Sequence, residues 1–231
     1  MSAHPIPRRV GGFTALEVIT ALFLVTAMAA LAILVPMRAR PRAELNGFTL
    51  EVMGLLHQAR QQALLDGNNV IVVLLPAFAN PRGGRGRIVV YENPDGAFFA
   101  PARRWAQGTF LTDTDVTRAG AGDSVIETLD FPRTVEVALS WNAPLPAPYA
   151  SIPWAPSASF SAIRFDSRGR ATFYDLGAVN PQGASGGSFT LATTRVSTRN
   201  DLLNRLTPDI RTIAVWGSTG TAQLFTRAQE M

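Results

Sequence analysis

The stretch that decides the fold is GFTALEVITALFLVTAMAALAILV, residues 12–35. From Phe13 onward it is apolar, apart from a few polar positions, for about 23 residues, which would be roughly 35 Å long as a helix rising about 1.5 Å per residue. That length exceeds the hydrocarbon core of a bilayer, which is about 30 Å thick. The stretch therefore predicts a helix that can anchor the chain in a membrane.

Basic residues stand on both sides of this stretch. Arg8 and Arg9 precede it and favour a cytoplasmic N-terminus under the positive-inside rule, but arginines in residues 38–42 follow it on the side that would be exported. Charge counting alone therefore leaves the orientation undecided.

Glu17 places an ionisable group inside the apolar stretch. On insertion scales a charged side chain at the bilayer centre costs about 2.5–3.5 kcal/mol, so it requires a partner or a function. A glutamate near the end of a helix can instead reach the headgroups. Placement alone leaves both interpretations open.

Gly12-Phe13-Thr14-Ala15-Leu16-Glu17, with basic residues before it and the apolar run after it, resembles the type IV prepilin cleavage and methylation motif. The resemblance implies that a prepilin peptidase cuts between Gly12 and Phe13 and methylates the new amine of Phe13. It gives Glu17 the role of meeting the N-terminal amine of a neighbouring subunit during filament assembly, where a partner compensates the buried charge. Cutting after Gly11 would make Glu17 the sixth residue rather than the fifth, so we favour Gly12.

An ordinary secretory signal is the alternative interpretation of the N-terminus. Arg8 and Arg9, an apolar region and the small residues around Ala27-Met28-Ala29 also fit a signal peptide with an A-x-A cleavage site. That interpretation would discard the anchor, and it explains neither Glu17 nor the Gly-Phe junction.

Apolar residues recur at three- and four-residue spacing after Pro36 and Pro41, which predicts an amphipathic helix that ends near residues 66–69. The stripe consists of Leu45, Phe48, Val52, Leu55, Leu56, Ala59 and Ala63. With the anchor, this helix could form one rod that runs from Phe13 to about Leu65 and is bent or partly unwound at the prolines.

Short apolar or alternating runs between turn-rich stretches predict a mainly antiparallel β domain downstream. The predicted strands are residues 70–75, 87–91, 135–141, 160–165, 171–174, 189–193, 211–216 and 222–226. We therefore expect an α+β, pilin-like fold in which a long N-terminal helix packs on an antiparallel β domain. Its expected divisions are a leader, residues 1–12; a transmembrane or filament-core helix, 13–36; an amphipathic half, 37–66; and a β-rich domain, 67–231.

Two further stretches narrow the resemblance. Residues 56–64, followed by Gly67 and residues 70–74, look like the helix-to-strand passage of the GspH/FimT family of minor pseudopilins and minor pilins. Residues 163–170, followed by 213–215 and Gly217 or Gly220, are similar to the C-terminal strands of that family. The resemblance says little about residues 76–159.

Few side chains are suited to catalysis or metal binding. The chain has no cysteine and two histidines, of which His4 would leave with the leader. His57 is predicted to be a surface or interface residue, and the glycine-rich residues 83–87 lack the Lys-Ser/Thr ending of a phosphate loop and predict a hairpin. Asp113 and Asp115 lack the remaining spacing of an EF-hand. We expect no catalytic residue, no metal, no cofactor and no enzyme activity.

All 21 basic residues are arginines, and the formal net charge is +4. Because some FimT-like proteins are DNA receptors, arginines in the C-terminal part of the chain are candidates for phosphate contact. They are Arg195, Arg199, Arg205, Arg211 and Arg227. The Gly-Arg-x-Arg tail of such receptors is absent from residues 220–231, so nucleic acid is the less favoured partner.

The resemblance as a whole implies a minor pseudopilin of a type II secretion system, at or near the pseudopilus tip. A minor type IV pilin for pilus assembly or DNA uptake is the alternative. Its expected partners are the prepilin peptidase, other minor and major (pseudo)pilins and the inner membrane. We expect a single-pass protein of the bacterial inner membrane with its globular domain in the periplasm or extracytoplasmic space.

Overall fold

The structure is a computed structural model that describes residues 14–79, 81, 83–94, 98, 124–138, 161–175, 185–193 and 210–226, without the side chains of residues 31–40. The chain divides into two units, Met1–Arg40 and Pro41–Met231. The second unit contains the folded core.

Helix α1 spans Ala15–Asp66. The stripe predicted from Leu45 to Ala63 is confirmed, since each of its seven members is at most 4% exposed. The helix ends where Gly67 adopts a left-handed conformation, with φ of 69°. Glycine adopts this conformation without steric cost, so it commonly follows the last helical turn.

Nine strands follow in the described residues. They are β1 Asn69–Ala79, β2 Arg85–Asn93, β3 Ser124–Asp130, β4 Val135–Val137, β5 Ser161–Phe165, β6 Ala171–Asp175, β7 Gly186–Thr193, β8 Ile210–Trp216 and β9 Ala222–Thr226. The strand predictions that fall within the described residues are confirmed, except that β4 covers only the start of residues 135–141, of which 139–141 lie outside the description. Strand β3 was not predicted.

The described strands form two antiparallel sheets. One has the order β3-β2-β1-β5-β6, and the other has the order β4-β7-β8-β9. Strands β1 and β2 pair with Val72 opposite Val90, so the hairpin predicted at residues 83–87 is confirmed. A helix packed on antiparallel sheets is an α+β architecture, as predicted.

The main core lies between the second half of α1 and one face of both sheets. Phe48 on the helix packs edge-on against Phe131, with ring centroids 4.6 Å apart. Ile163 from the first sheet and Leu191 from the second are buried in the same cluster. Burying a side chain of this size stabilises a fold by about 1.5–3 kcal/mol. Because the cluster contains side chains from α1 and from both sheets, its burial holds both sheets against the helix.

The first sheet also has a buried outer face, on the side away from α1. Ile71, Val73 and Tyr91 are almost completely buried there and form a second apolar cluster. They alternate along their strands with the residues that face α1, as side chains of a β-strand do. Phe98 packs on Tyr91 with ring centroids 5.3 Å apart.

Candidate functional site

Two of the predicted site residues, Glu17 and Arg211, fall within the described residues. Outside them lie the predicted cleavage and methylation residues Gly12 and Phe13. The same holds for the remaining arginines proposed for DNA contact, Arg195, Arg199, Arg205 and Arg227, and for Asp113 and Asp115.

Glu17 takes part in a reciprocal cap at the start of α1. Its carboxylate Oε2 accepts hydrogen bonds from the backbone N–H of Thr14 at 2.9 Å and from the Thr14 hydroxyl at 3.0 Å. The Glu17 N–H donates in return to Thr14 Oγ1 at 3.3 Å. This is a capping box, and the sequence carries its Thr-x-x-Glu signal at residues 14–17. Glu17 therefore has a local partner within its own chain.

Large apolar side chains surround the first turns of α1. The eight that are exposed between Leu16 and Met28 have exposed fractions of 53% to 71%. Thr20 and Thr26 donate their hydroxyls to helix carbonyls one turn back, at 2.8 and 2.9 Å, so these polar groups need no water.

Within the part of the chain that the structure describes, no helix is both long enough and apolar enough to cross a membrane.

Arg60 joins α1 to a turn of each sheet. Its Nε donates to the carbonyl oxygen of Thr219 at 2.8 Å and to that of Gly169 at 3.3 Å. Gly169 lies between β5 and β6 of the first sheet, whereas Thr219 lies between β8 and β9 of the second. Arg60 and Gly169, 109 positions apart, belong to two of the stretches that resemble the GspH/FimT family, and Thr219 lies next to the third, so parts of the chain that are distant in sequence meet at one guanidinium group.

Glycines allow these two turns to approach each other. Gly169 and Gly220 have φ of 72° and 63°, a region that glycine occupies readily and other residues rarely do. A Cβ atom on Gly220 would overlap the carbonyl oxygen of Gly169. The sequence signal was the pair of glycines, but their contact could not be deduced from it.

Asp166 holds the first of these turns closed. Its carboxylate accepts hydrogen bonds at 2.9 Å from the backbone N–H groups of Arg168 and Arg170 and from Nε of Arg170. Partial burial acts to raise the pKa of Asp166, but the backbone bonds and the Arg170 side chain together outweigh it, so the pKa lies below its ordinary value.

Arg211 is bound within the fold. Its Nε donates to Oδ1 of Asn46 on α1 at 3.0 Å, and its Nη1 donates to the carbonyl oxygen of Ile210 at 2.8 Å. The bond to Asn46 attaches strand β8 to the helix. A phosphate contact by Arg211 would have to compete with both bonds.

Among the described residues, the side chains suited to metal binding or acid–base chemistry do not lie together in one site. His57 is exposed on α1. Within the described ranges, no three histidine, cysteine, aspartate or glutamate side chains are grouped so as to hold a metal ion.

Comparison of the chain with models of protein families, with curated proteins and with solved structures finds no match.

Proposed function

We propose that the protein is a minor pseudopilin of a type II secretion system, a structural subunit at or near the tip of the pseudopilus that supports protein secretion. A minor type IV pilin is the alternative within the same class of protein. The observation that carries the proposal is Gly12-Phe13-Thr14-Ala15-Leu16-Glu17, followed directly by the apolar run to Val35.

In this proposal a prepilin peptidase removes residues 1–12. Residues 13–36 then hold the subunit in the inner membrane and later lie in the filament core. The exposed apolar side chains from Leu16 to Met28 support this assignment, since a surface of this kind is stable when lipid or neighbouring helices cover it. The internal bonding of Thr20 and Thr26 suits the same surroundings.

The packing of the second half of α1 on two antiparallel sheets supports the finer assignment of a pilin-like fold. The β-rich unit would then lie on the extracytoplasmic side. Glu17 would hold its capping box in the free subunit and would meet the amine of a neighbouring subunit on assembly.

The proposal is tested by replacing Glu17 with leucine in a bacterium that supplies the prepilin peptidase and the other filament subunits. Glu17→Leu is expected to be cleaved and inserted normally but to be missing from sheared filaments, because the charge that pairs with the neighbouring amine is gone. Thr20→Leu, one turn away, is the matched control and should assemble as the wild type does. Assembly of Glu17→Leu at the wild-type level would refute the role.

A further inference from the structure

Two arginines lie on the outer face of the first sheet, and each is near an aromatic ring. Arg87 on β2 lies over Phe78, with 4.3 Å from its Cζ to the ring centroid. Arg164 on β5 lies over Tyr174, at a distance of 5.5 Å. Their strand partners, Leu75 for Arg87 and Ile71 for Arg164, belong to the buried apolar cluster of this face.

Arg87 shows which group such an arginine binds on this face. Its Nε donates to Oδ1 of Asp130 at 2.6 Å, and its Nη2 donates to Oδ2 at 3.2 Å. The Nε–Nη2 edge of the guanidinium therefore grips a carboxylate with two parallel bonds, the geometry that suits an arginine and a carboxylate best. The side chains of Arg87 and Asp130 are only 6% and 15% exposed.

Arg164 presents the same edge without a carboxylate. Its Nη2 has one weak neutral contact, 3.4 Å from the hydroxyl of Thr172. Its Nε is buried and lacks a hydrogen-bond partner, and Arg164 forms no ion pair with any of the residues that the structure describes. A buried donor without a partner costs stability, so a partly buried guanidinium in this state requires an acceptor.

We propose that Arg164 is a binding site for a carboxylate group supplied from outside the described fold. The carboxylate would occupy the Nε–Nη2 edge as Asp130 does at Arg87, while the Thr172 hydroxyl moves aside. Thr172 is partly exposed and lies on β6, one of the two edge strands of its sheet. An acidic side chain of a partner protein and a free small carboxylate share this chemistry. The assignment uses only residues of the second unit and does not depend on the proposed function.

The first test compares the stability of the full chain in mild detergent with that of two variants. Arg164→Met should leave the melting temperature unchanged or raise it, because it removes an unsatisfied donor and keeps the aliphatic stem. Arg87→Met is the matched control and should lower the melting temperature, because it takes the cation away from Asp130, whose side chain is only 15% exposed. A loss for Arg164→Met as large as that for Arg87→Met would show that Arg164 is structural and overturn the proposal.

The second test follows the arginine Nε–H resonances of the same full chain during titration with acetate, with inorganic phosphate, and with a capped peptide that has one glutamate as its only charge. Acetate should shift the Arg164 resonance saturably, and the exposed Arg85 should show no such shift. Arg164→Lys, which keeps the charge but not the fork, should weaken acetate binding at least tenfold, followed in both proteins by the backbone N–H resonance of Thr172, which pairs with residue 164. Absence of a saturable shift, or phosphate binding tighter than acetate, would refute a carboxylate site.

The peptide identifies the source of the carboxylate. Binding at least tenfold tighter than acetate, and lost when glutamine replaces its glutamate, would support a protein partner. Binding no tighter than acetate would support a free small carboxylate at the same site.

Discussion

Replacing Gly220 with alanine should destabilise the fold far more than the same replacement at Gly67. Both glycines have a left-handed φ, 63° and 69°, so each alanine incurs a conformational cost of about 1–2 kcal/mol. At Gly67 a new Cβ meets nothing within 4 Å, and no further cost is expected. At Gly220 it would overlap the carbonyl oxygen of Gly169, a backbone atom that cannot rotate away.

The turns at Gly169 and Gly220 would then have to separate, which weakens the bonds that Arg60 donates to them. Losing one or two such bonds adds about 1–3 kcal/mol, so we expect about 3 kcal/mol in total for Gly220→Ala and about 1 kcal/mol for Gly67→Ala. For a chain of this size, 1 kcal/mol corresponds to roughly 2–4 °C in melting temperature.

Urea and thermal unfolding of the full chain in detergent, followed by tryptophan fluorescence, would measure the difference. Equal losses of stability for the two variants would show that the two turns are not in close contact. That result would contradict the hydrogen bonds that Arg60 donates to both turns.

Three other predictions concern stability. Gly54→Ala should raise the free energy of unfolding, measured by urea denaturation, by about 1 kcal/mol, because a helix favours alanine over glycine and a Cβ at this position meets nothing within 4 Å. A lower free energy of unfolding would mean that the new methyl group clashes with a neighbour. Asp130→Ala should cost about 3 kcal/mol, measured the same way, because both bonds to the buried Arg87 disappear; a cost below about 1 kcal/mol would contradict the pair. Because the pKa of Asp166 is lowered in the fold, its contribution is present above its ordinary value near 3.8 and is lost as pH falls through the lower folded value. Melting curves at several pH values should show a smaller acid-induced decline for Asp166→Asn, and an unchanged decline would refute this role.

Periodicity was sufficient to predict the helix and every described strand except β3. The helix stripe from Leu45 to Ala63 has a strong pattern because it buries one continuous face, and strand β1 has one because both of its faces are buried. Strand β3 was missed because it is an edge strand whose exposed Glu127 and Thr128 interrupt the apolar pattern. An edge strand is buried on fewer sides, so its sequence is less constrained.

Contacts between distant residues could not be predicted from the sequence. Arg60 and Thr219 are 159 positions apart, and nothing in the spacing of either indicates that they meet. The same applies to Arg87 with Asp130, which depends on the register of β2 and β3. By contrast, the cap between Thr14 and Glu17 is local, so its four-residue signal could have been recognised.

The most direct test of the proposed function is the mature N-terminus of the membrane-extracted protein, determined by mass spectrometry after expression with and without a prepilin peptidase. We predict a chain that begins at N-methylated Phe13 only when the peptidase is present. A chain that begins near Ala30, or one that remains uncut in both strains, would contradict the assignment to the pilin-like class.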